Sequence, residues 1–141
     1  MKVFFVNERL AFGSAIKTCQ HVERLRAVGI THVLNLRRRE NRKMRKFRYL
    51  WLRFADNKRP RPPWFYRRAL AFYRRAMSAA DSKLFVMCHH GICRSSSLTY
   101  FLLRASGAGA QEAEQLLLNA RPRARLIRAY KDSGDDFLRS P

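Results

Sequence analysis

The sequence predicts an α/β domain with a single, mostly parallel central sheet flanked by helices. Two observations carry that expectation. Short apolar, β-prone runs alternate with stretches whose apolar residues recur at helical spacing, the order that produces a wound sheet. No internal repeat and no long linker divides the 141 residues, so 1–141 reads as one domain.

Taken in order, Val3 to Val6 is a short strand, and Leu10 to Ser14 is a second extended piece ending in a turn. Lys17 to Ala27 is a helix with Val22, Leu25 and Val28 on one side, stopped by Gly29. Cys19 on this helix reads as a core filler. Ile30 to Leu36 is a buried-looking strand. Arg37 to Arg48 holds too little apolar material for a strand and reads as a loop or short exposed helix. Tyr49 to Phe54 is the next strand, followed by a proline-bound loop from Ala55 to Pro63. A helix starts near Pro63 with Phe65, Ala69, Phe72, Ala76 and Ala80 as its inner face, and Arg67 and Arg74 on an outer stripe. Leu84 to Met87 is a short continuous apolar strand. Ser95–Leu103 and Ala110–Asn119 are two helices separated by Gly107 and Gly109, and a last helix covers about Leu126 to Lys131. Of the aromatics flanking Asp56, most of Trp51, Phe54, Trp64, Phe65 and Tyr66 belong to the core, with one or two left to wall a pocket.

Composition narrows the function. Thirty Lys and Arg against ten Asp and Glu leave a net charge of +20, and twenty-three of the thirty are Arg. Such a field repels itself in the folded state and attracts polyanions or phosphorylated ligands. No apolar run approaches the 18 residues of a membrane span. Cys19, Cys88 and Cys93 are too few and too unevenly placed for a secreted disulfide framework, so the expected location is cytoplasmic.

The chemistry concentrates in Cys88-His89-His90-Gly91-Ile92-Cys93-Arg94, between an apolar strand and a helix. A strand–loop–helix junction turns successive backbone N–H groups toward one point at the positive end of the helix, where a tetrahedral oxyanion fits. The same groups favour the thiolate form of a cysteine that opens the loop. Arg94 closes the loop with a planar fork able to hold two phosphate oxygens, and Gly91 lets the backbone turn close to the ligand. His89, His90, Gly91, Ile92, Cys93 and Arg94 are thus the candidate phosphate-binding set. A zinc site on Cys88, His89, His90 and Cys93 is the rival reading. Adjacent ligands on one tight loop do not easily face one ion, and no second pair stands elsewhere at zinc spacing. No metal or other cofactor is expected.

The pattern Cys-x5-Arg-Ser at Cys88–Ser95 resembles the signature of the cysteine-dependent protein tyrosine phosphatases, and its surroundings resemble their compact dual-specificity branch. Gly29–Leu36 (GITHVLNL) and Leu10–Ser14 are similar to segments of that branch, as is the apolar helix around Tyr100–Leu103, and the likeness covers roughly residues 8 to 138. The resemblance implies a dual-specificity phosphatase-like fold with Cys88 as nucleophile and Arg94 as phosphate clamp. It makes Asp56, 32 residues before Cys88, the general acid and base, and Ser95 the hydroxyl that steadies the leaving sulfur. Two departures stand out. Met87 occupies the position where the family usually has His. Cys93 before Arg94 is a feature of the low-molecular-weight tyrosine phosphatases, but the late position of the loop and the missing C-terminal Asp-Pro keep the order of the dual-specificity branch. Cys93 is also a candidate redox partner for Cys88.

The resemblance implies phosphorylated proteins as substrates, through phosphotyrosine and also phosphoserine or phosphothreonine. RNA 5′ phosphates and phosphoinositides are the alternatives that the basic run keeps open, RNA or another polyanion being the further partner class. A basic phosphate- or nucleic-acid-binding protein without turnover is the non-enzymatic alternative.

Overall fold

Strands that alternate with helices have one economical arrangement here, a single sheet in the order β1-β2-β5-β3-β4. These are β1 (Val3–Phe5), β2 (Leu10–Gly13), β3 (His32–Asn35), β4 (Arg48–Trp51) and β5 (Leu84–Met87). The computed structural model of the chain describes residues 1–140. Only the β1–β2 pair is antiparallel; β2–β5, β5–β3 and β3–β4 are parallel. Every residue of β2, β3 and β5 is buried, which explains the apolar character of β2 and β5 and of the middle of β3.

The pleat sorts side chains between two layers. Phe85 and Met87 of β5 face Val22 and Leu25 of α1 (Cys19–Ala27), together with Met44. Leu84 and Val86 face the opposite layer, built by α2 (Pro63–Met77), α3 (Arg94–Ala105), α4 (Ala110–Ala120) and α5 (Arg128–Arg139). Phe65, Ala69, Phe72 and Ala76 are the inner stripe of α2 as expected, and Arg67 and Arg74 are exposed. Burying each such Phe contributes about 2–3 kcal/mol.

Several expectations need correction. Ala80 is exposed and lies beyond the end of α2, so it belongs to no inner face. Cys19 is exposed as well. It opens α1, where Thr18 caps the helix by accepting the His21 N–H, and a first-turn residue here points to water rather than core. The strand expected over 49–54 is β4, ending at Trp51; Leu52 and Phe54 leave the sheet but stay in the core. The basic stretch forms a 3-10 turn, Arg42–Lys46, anchored by buried Met44. The last helix is the largest departure, because α5 runs to Arg139 rather than stopping near Lys131. Lys131-Asp132-Ser133-Gly134 hides the pattern, yet Tyr130, Gly134 and Phe137 at helical spacing form a buried stripe. Gly134 is useful there, since a Cβ would stand 3.1 Å from the Phe101 ring of α3.

Candidate active site

The parallel strands deliver their C-terminal ends to one edge, where the chain from β5 turns through 88–93 into α3. The turn is held against β2: the Cys88 N–H donates to the Gly13 carbonyl (3.3 Å) and the Ala15 N–H to that of His89 (3.2 Å). Gly91 sits at φ +70°, and a Cβ there would stand 2.5 Å from the Gly13 carbonyl carbon. Both the left-handed backbone and the close approach require glycine.

Cys88 is buried at the base of this loop. Its Sγ accepts the Gly91 N–H at 3.2 Å and lies 3.3 Å from Ser95 Oγ, which is itself fully buried at the start of α3. Arg94 is 9% exposed. Its Nη1 donates to the Phe54 carbonyl (3.1 Å) and to that of Leu36 (3.5 Å), so the segments following β3 and β4 hold the guanidinium in place. Cys88, Cys93, Arg94, His90 and Ile92 line a cavity of about 680 Å³ that Asp56 also borders. Gly91 contributes backbone rather than wall, and His89 faces a neighbouring cavity. The structure therefore brings Cys88, Arg94, Ser95 and Asp56 to one place.

Asp56 is exposed, in the loop after β4. The Lys58 N–H donates to the Tyr130 hydroxyl at 2.7 Å, with Lys58 in the left-handed region (φ +59°). That hydroxyl in turn donates toward the Ala55 carbonyl (3.4 Å) and Asp56 Oδ1 (3.5 Å). Burial, with the Asp56 charge adding to it, pushes the Tyr130 hydroxyl above its ordinary range, which keeps it a donor. Burial, then the charges of Asp56 and Cys88, also push the Cys93 thiol up. For His89, burial comes first and the neighbouring His90, Arg37 and Lys17 follow, all holding the imidazole below its usual value.

Two parts of the site carried no mark in the sequence. Arg121 is 5% exposed, and its Nη1 donates to the carbonyls of His90 (2.9 Å) and Gly91 (2.6 Å), bracing the loop from behind. The Arg125 N–H donates to the Ile92 carbonyl at 2.8 Å, so the segment after α4 walls the cavity with Pro122, Arg123 and Ala124. One arginine among twenty-three is not conspicuous; the only clue is Pro122 directly after Arg121, where a helix must end. The aromatic wall expected from the Asp56 neighbourhood is not built. Phe54, Phe65 and Tyr66 pack in the core, Trp51 and Trp64 face outward, and none of the five lines the cavity. The Trp51 indole N–H instead donates to the Arg37 carbonyl (2.8 Å) and ties down the basic loop. No cluster of three or more metal-ligating side chains occurs among the described residues, and no helix among them is long and apolar enough to cross a membrane.

This sheet order, with a cysteine-opened loop between its central strand and the following helix, is the fold of the cysteine-dependent tyrosine phosphatases in their compact dual-specificity form. Among solved structures, the chain is similar to a human tyrosine phosphatase-like serine/threonine/tyrosine-interacting protein, at 19% identity and a TM-score of 0.84, covering 97% of this chain and 95% of that one. It is similar to a mouse putative dual specificity phosphatase complexed with zinc tungstate, at 21% identity and a TM-score of 0.85, over 98% and 87% of the two chains. PTPMT1 in complex with PI(5)P matches at 12% identity and a TM-score of 0.83, over 97% and 94%. No family model matches the chain, and no curated protein matches it by sequence.

Proposed function

We propose that the chain is a phosphatase that hydrolyses phosphate monoesters through a phosphocysteine intermediate. One observation carries this reading. Cys88 Sγ, contacted by the Gly91 N–H and beside Ser95 Oγ, lies in a cavity that Arg94 and Asp56 also line. In the first step the Cys88 thiolate attacks phosphorus, forming the S–P bond as the ester P–O bond breaks, and Asp56 gives its proton to the departing oxygen. Arg94 and the loop amides hold the equatorial oxygens as charge spreads over them. In the second step Asp56 takes a proton from water, whose oxygen attacks phosphorus. The S–P bond then breaks, inorganic phosphate leaves, and the Ser95 hydroxyl donates to the restored thiolate. His89, His90, Gly91, Ile92 and Cys93 supply the loop backbone around the phosphate.

Phosphorylated protein side chains are the substrates that the sequence resemblance supports. A polyanionic substrate is the second reading, and a specific observation favours it: no Phe, Tyr or Trp ring lines the cavity, whereas Arg94, Arg123 and Arg125 do. The neighbour PTPMT1, seen in complex with PI(5)P, supports the phosphoinositide form of that reading, while the basic surface suits an RNA 5′ end. The test is hydrolysis of para-nitrophenyl phosphate with EDTA present, for the parent and Cys88→Ser side by side. Turnover by the parent alone is the expected result. Turnover by both overturns the role of Cys88. Turnover by neither, with folded and reduced protein, leaves a phosphate-binding protein without catalysis.

A further inference from the structure

β4 is one edge of the sheet, with a neighbour only on its β3 side. In a parallel pair, alternate residues of a strand bond to the neighbour, and the residues between them point their N–H and C=O groups away. The Arg48 N–H donates to the Thr31 carbonyl (3.0 Å) and the Leu52 N–H to that of Asn35 (2.9 Å), so Arg48, Leu50 and Leu52 are the positions bonded to β3. The backbone groups of Tyr49 and Trp51 therefore face outward, and none of them takes part in a hydrogen bond among the described residues.

Cations surround this open ladder. Exposed Arg45 and Lys46 precede the strand, exposed Arg48 stands on it and exposed Arg53 follows it. A groove of about 1180 Å³ borders the first half of β4, lined by Arg26, Arg45, Lys46, Arg48 and Arg75 and by no carboxylate. Phe47, Leu50 and Phe72 give the same groove an apolar side. Arg26 and Lys46 share Glu23, whereas Arg45, Arg48, Arg53 and Arg75 have no ion-pair partner among the described residues. A single charge is enough to deter an edge strand from pairing with itself. A cation-lined groove beside it exceeds that need.

The pleat sorts the two faces of the edge. Arg48 and Leu50 point to the layer of α2, which carries Arg75, and Tyr49 and Trp51 to the layer of α1. Trp51 is 37% exposed, so an added strand would meet cations on one face and aromatic surface on the other. A second copy of this chain would bring one cationic edge against another on molecules of net charge +20. A nucleic acid would use the cations but leave the alternating N–H and C=O groups of the edge unmatched. An extended acidic peptide matches both.

We infer that the β4 edge is a docking site for an extended acidic segment of a partner protein. The segment adds to the sheet as a further strand, with carboxylates toward Arg48 and Arg75 and apolar side chains toward Tyr49 and Trp51. No residue of this surface lines the Cys88 cavity, so the inference goes beyond the phosphatase reading and stands without it.

The test uses a fluorescein-labelled peptide of about eight residues alternating glutamate with valine, long enough to cover the strand. Its binding is followed by anisotropy at fixed ionic strength, and backbone amide exchange of the protein by NMR. At saturation, exchange at the Tyr49 and Trp51 amides should slow about tenfold or more, while the Leu50 and Leu52 amides, already bonded to β3, change little. Arg48→Gln together with Arg75→Gln should weaken binding about tenfold, since two ion pairs are lost. Both arginines are exposed, a thermal melt checks folding, and hydrolysis of para-nitrophenyl phosphate should be unchanged. No binding, binding that leaves the Tyr49 and Trp51 amides exchanging freely, or affinity untouched by the two substitutions overturns the docking site. An oligouridylate that binds through Arg48 and Arg75 where the peptide does not makes the groove a nucleic-acid surface and overturns the peptide assignment. A dimer in sedimentation that already protects the two amides makes the occupant a second copy and overturns it as well.

Discussion

At the scale of single residues, the proposed mechanism divides labour between Cys88 and Asp56. Asp56 is exposed at the cavity border with Tyr130 close by, so its proton matters most when the departing oxygen is a poor leaving group. Asp56→Asn is expected to lower kcat on alkyl phosphates about 100-fold, and on para-nitrophenyl phosphate by much less. Equal losses on both would remove Asp56 from the acid role. Cys93 borders the same cavity as Cys88, half-buried, with its thiol pushed up by burial and by the charges of Asp56 and Cys88. A protonated thiol of this kind is a slow nucleophile until Cys88 is oxidised to a sulfenic acid, which it attacks with loss of water to give a disulfide. Peroxide treatment should yield a Cys88–Cys93 disulfide by mass spectrometry, and Cys93→Ser protein should lose most of its recovery on adding thiol. Recovery equal to the parent would exclude the switch. The residues at this scale were legible because loop chemistry is local: Cys88 through Ser95 are contiguous, and the need for Gly91 follows from a turn that spacing alone announces. Arg121 and Tyr130 were not legible, because what makes each part of the site is a contact across 30 residues or more.

At the scale of elements, the loop is rigid because four separate segments hold it. β2 takes the Cys88 N–H and the turn after it gives the Ala15 N–H, the turns after β3 and β4 hold Arg94, and the segment after α4 braces the loop's carbonyls. Arg121 is the brace with no substitute nearby. Arg121→Ala leaves the His90 and Gly91 carbonyls without that donor and vacates the space beside Phe4. A buried polar group left unpaired costs about 1–3 kcal/mol, so a loss of about 3 kcal/mol in stability is expected in a denaturant titration. The para-nitrophenyl phosphate kcat should fall at least tenfold as the loop amides lose their aim. A variant equally stable and equally active would show that the loop holds itself. Most element positions could be read from apolar periodicity, as the buried strands and the inner stripe of α2 show. α5 was read too short because the polar residues and the glycine that fit it against Phe101 resemble a loop when local propensity is all there is to judge.

At the scale of the whole molecule, the charge is uneven in a way that couples stability to function. Four of the five acids of α4 and α5 are paired, Glu114 with Lys131, Asp132 with Arg128, Asp135 with Arg104 and Asp136 with Arg139. Arg37, Arg53, Lys58 and Arg59, in the loops after β3 and β4, have no ion-pair partner among the described residues, and neither do Arg123 and Arg125. A net charge of +20 on 16.6 kDa repels itself when folded, so added salt should stabilise the protein. The same salt screens the attraction of a polyanionic substrate, because the Debye length falls from about 10 Å at 0.1 M to about 3 Å at 1 M. Between 50 and 500 mM sodium chloride, kcat/KM for an inositol bisphosphate should fall about tenfold and that for para-nitrophenyl phosphate only about twofold, since the more highly charged ligand feels the field more strongly. Over the same range Tm should rise. The opposite signs make the test decisive: a falling Tm would attribute the lost activity to unfolding, and equal salt slopes for the two substrates would mean that the basic surface steers nothing toward Cys88.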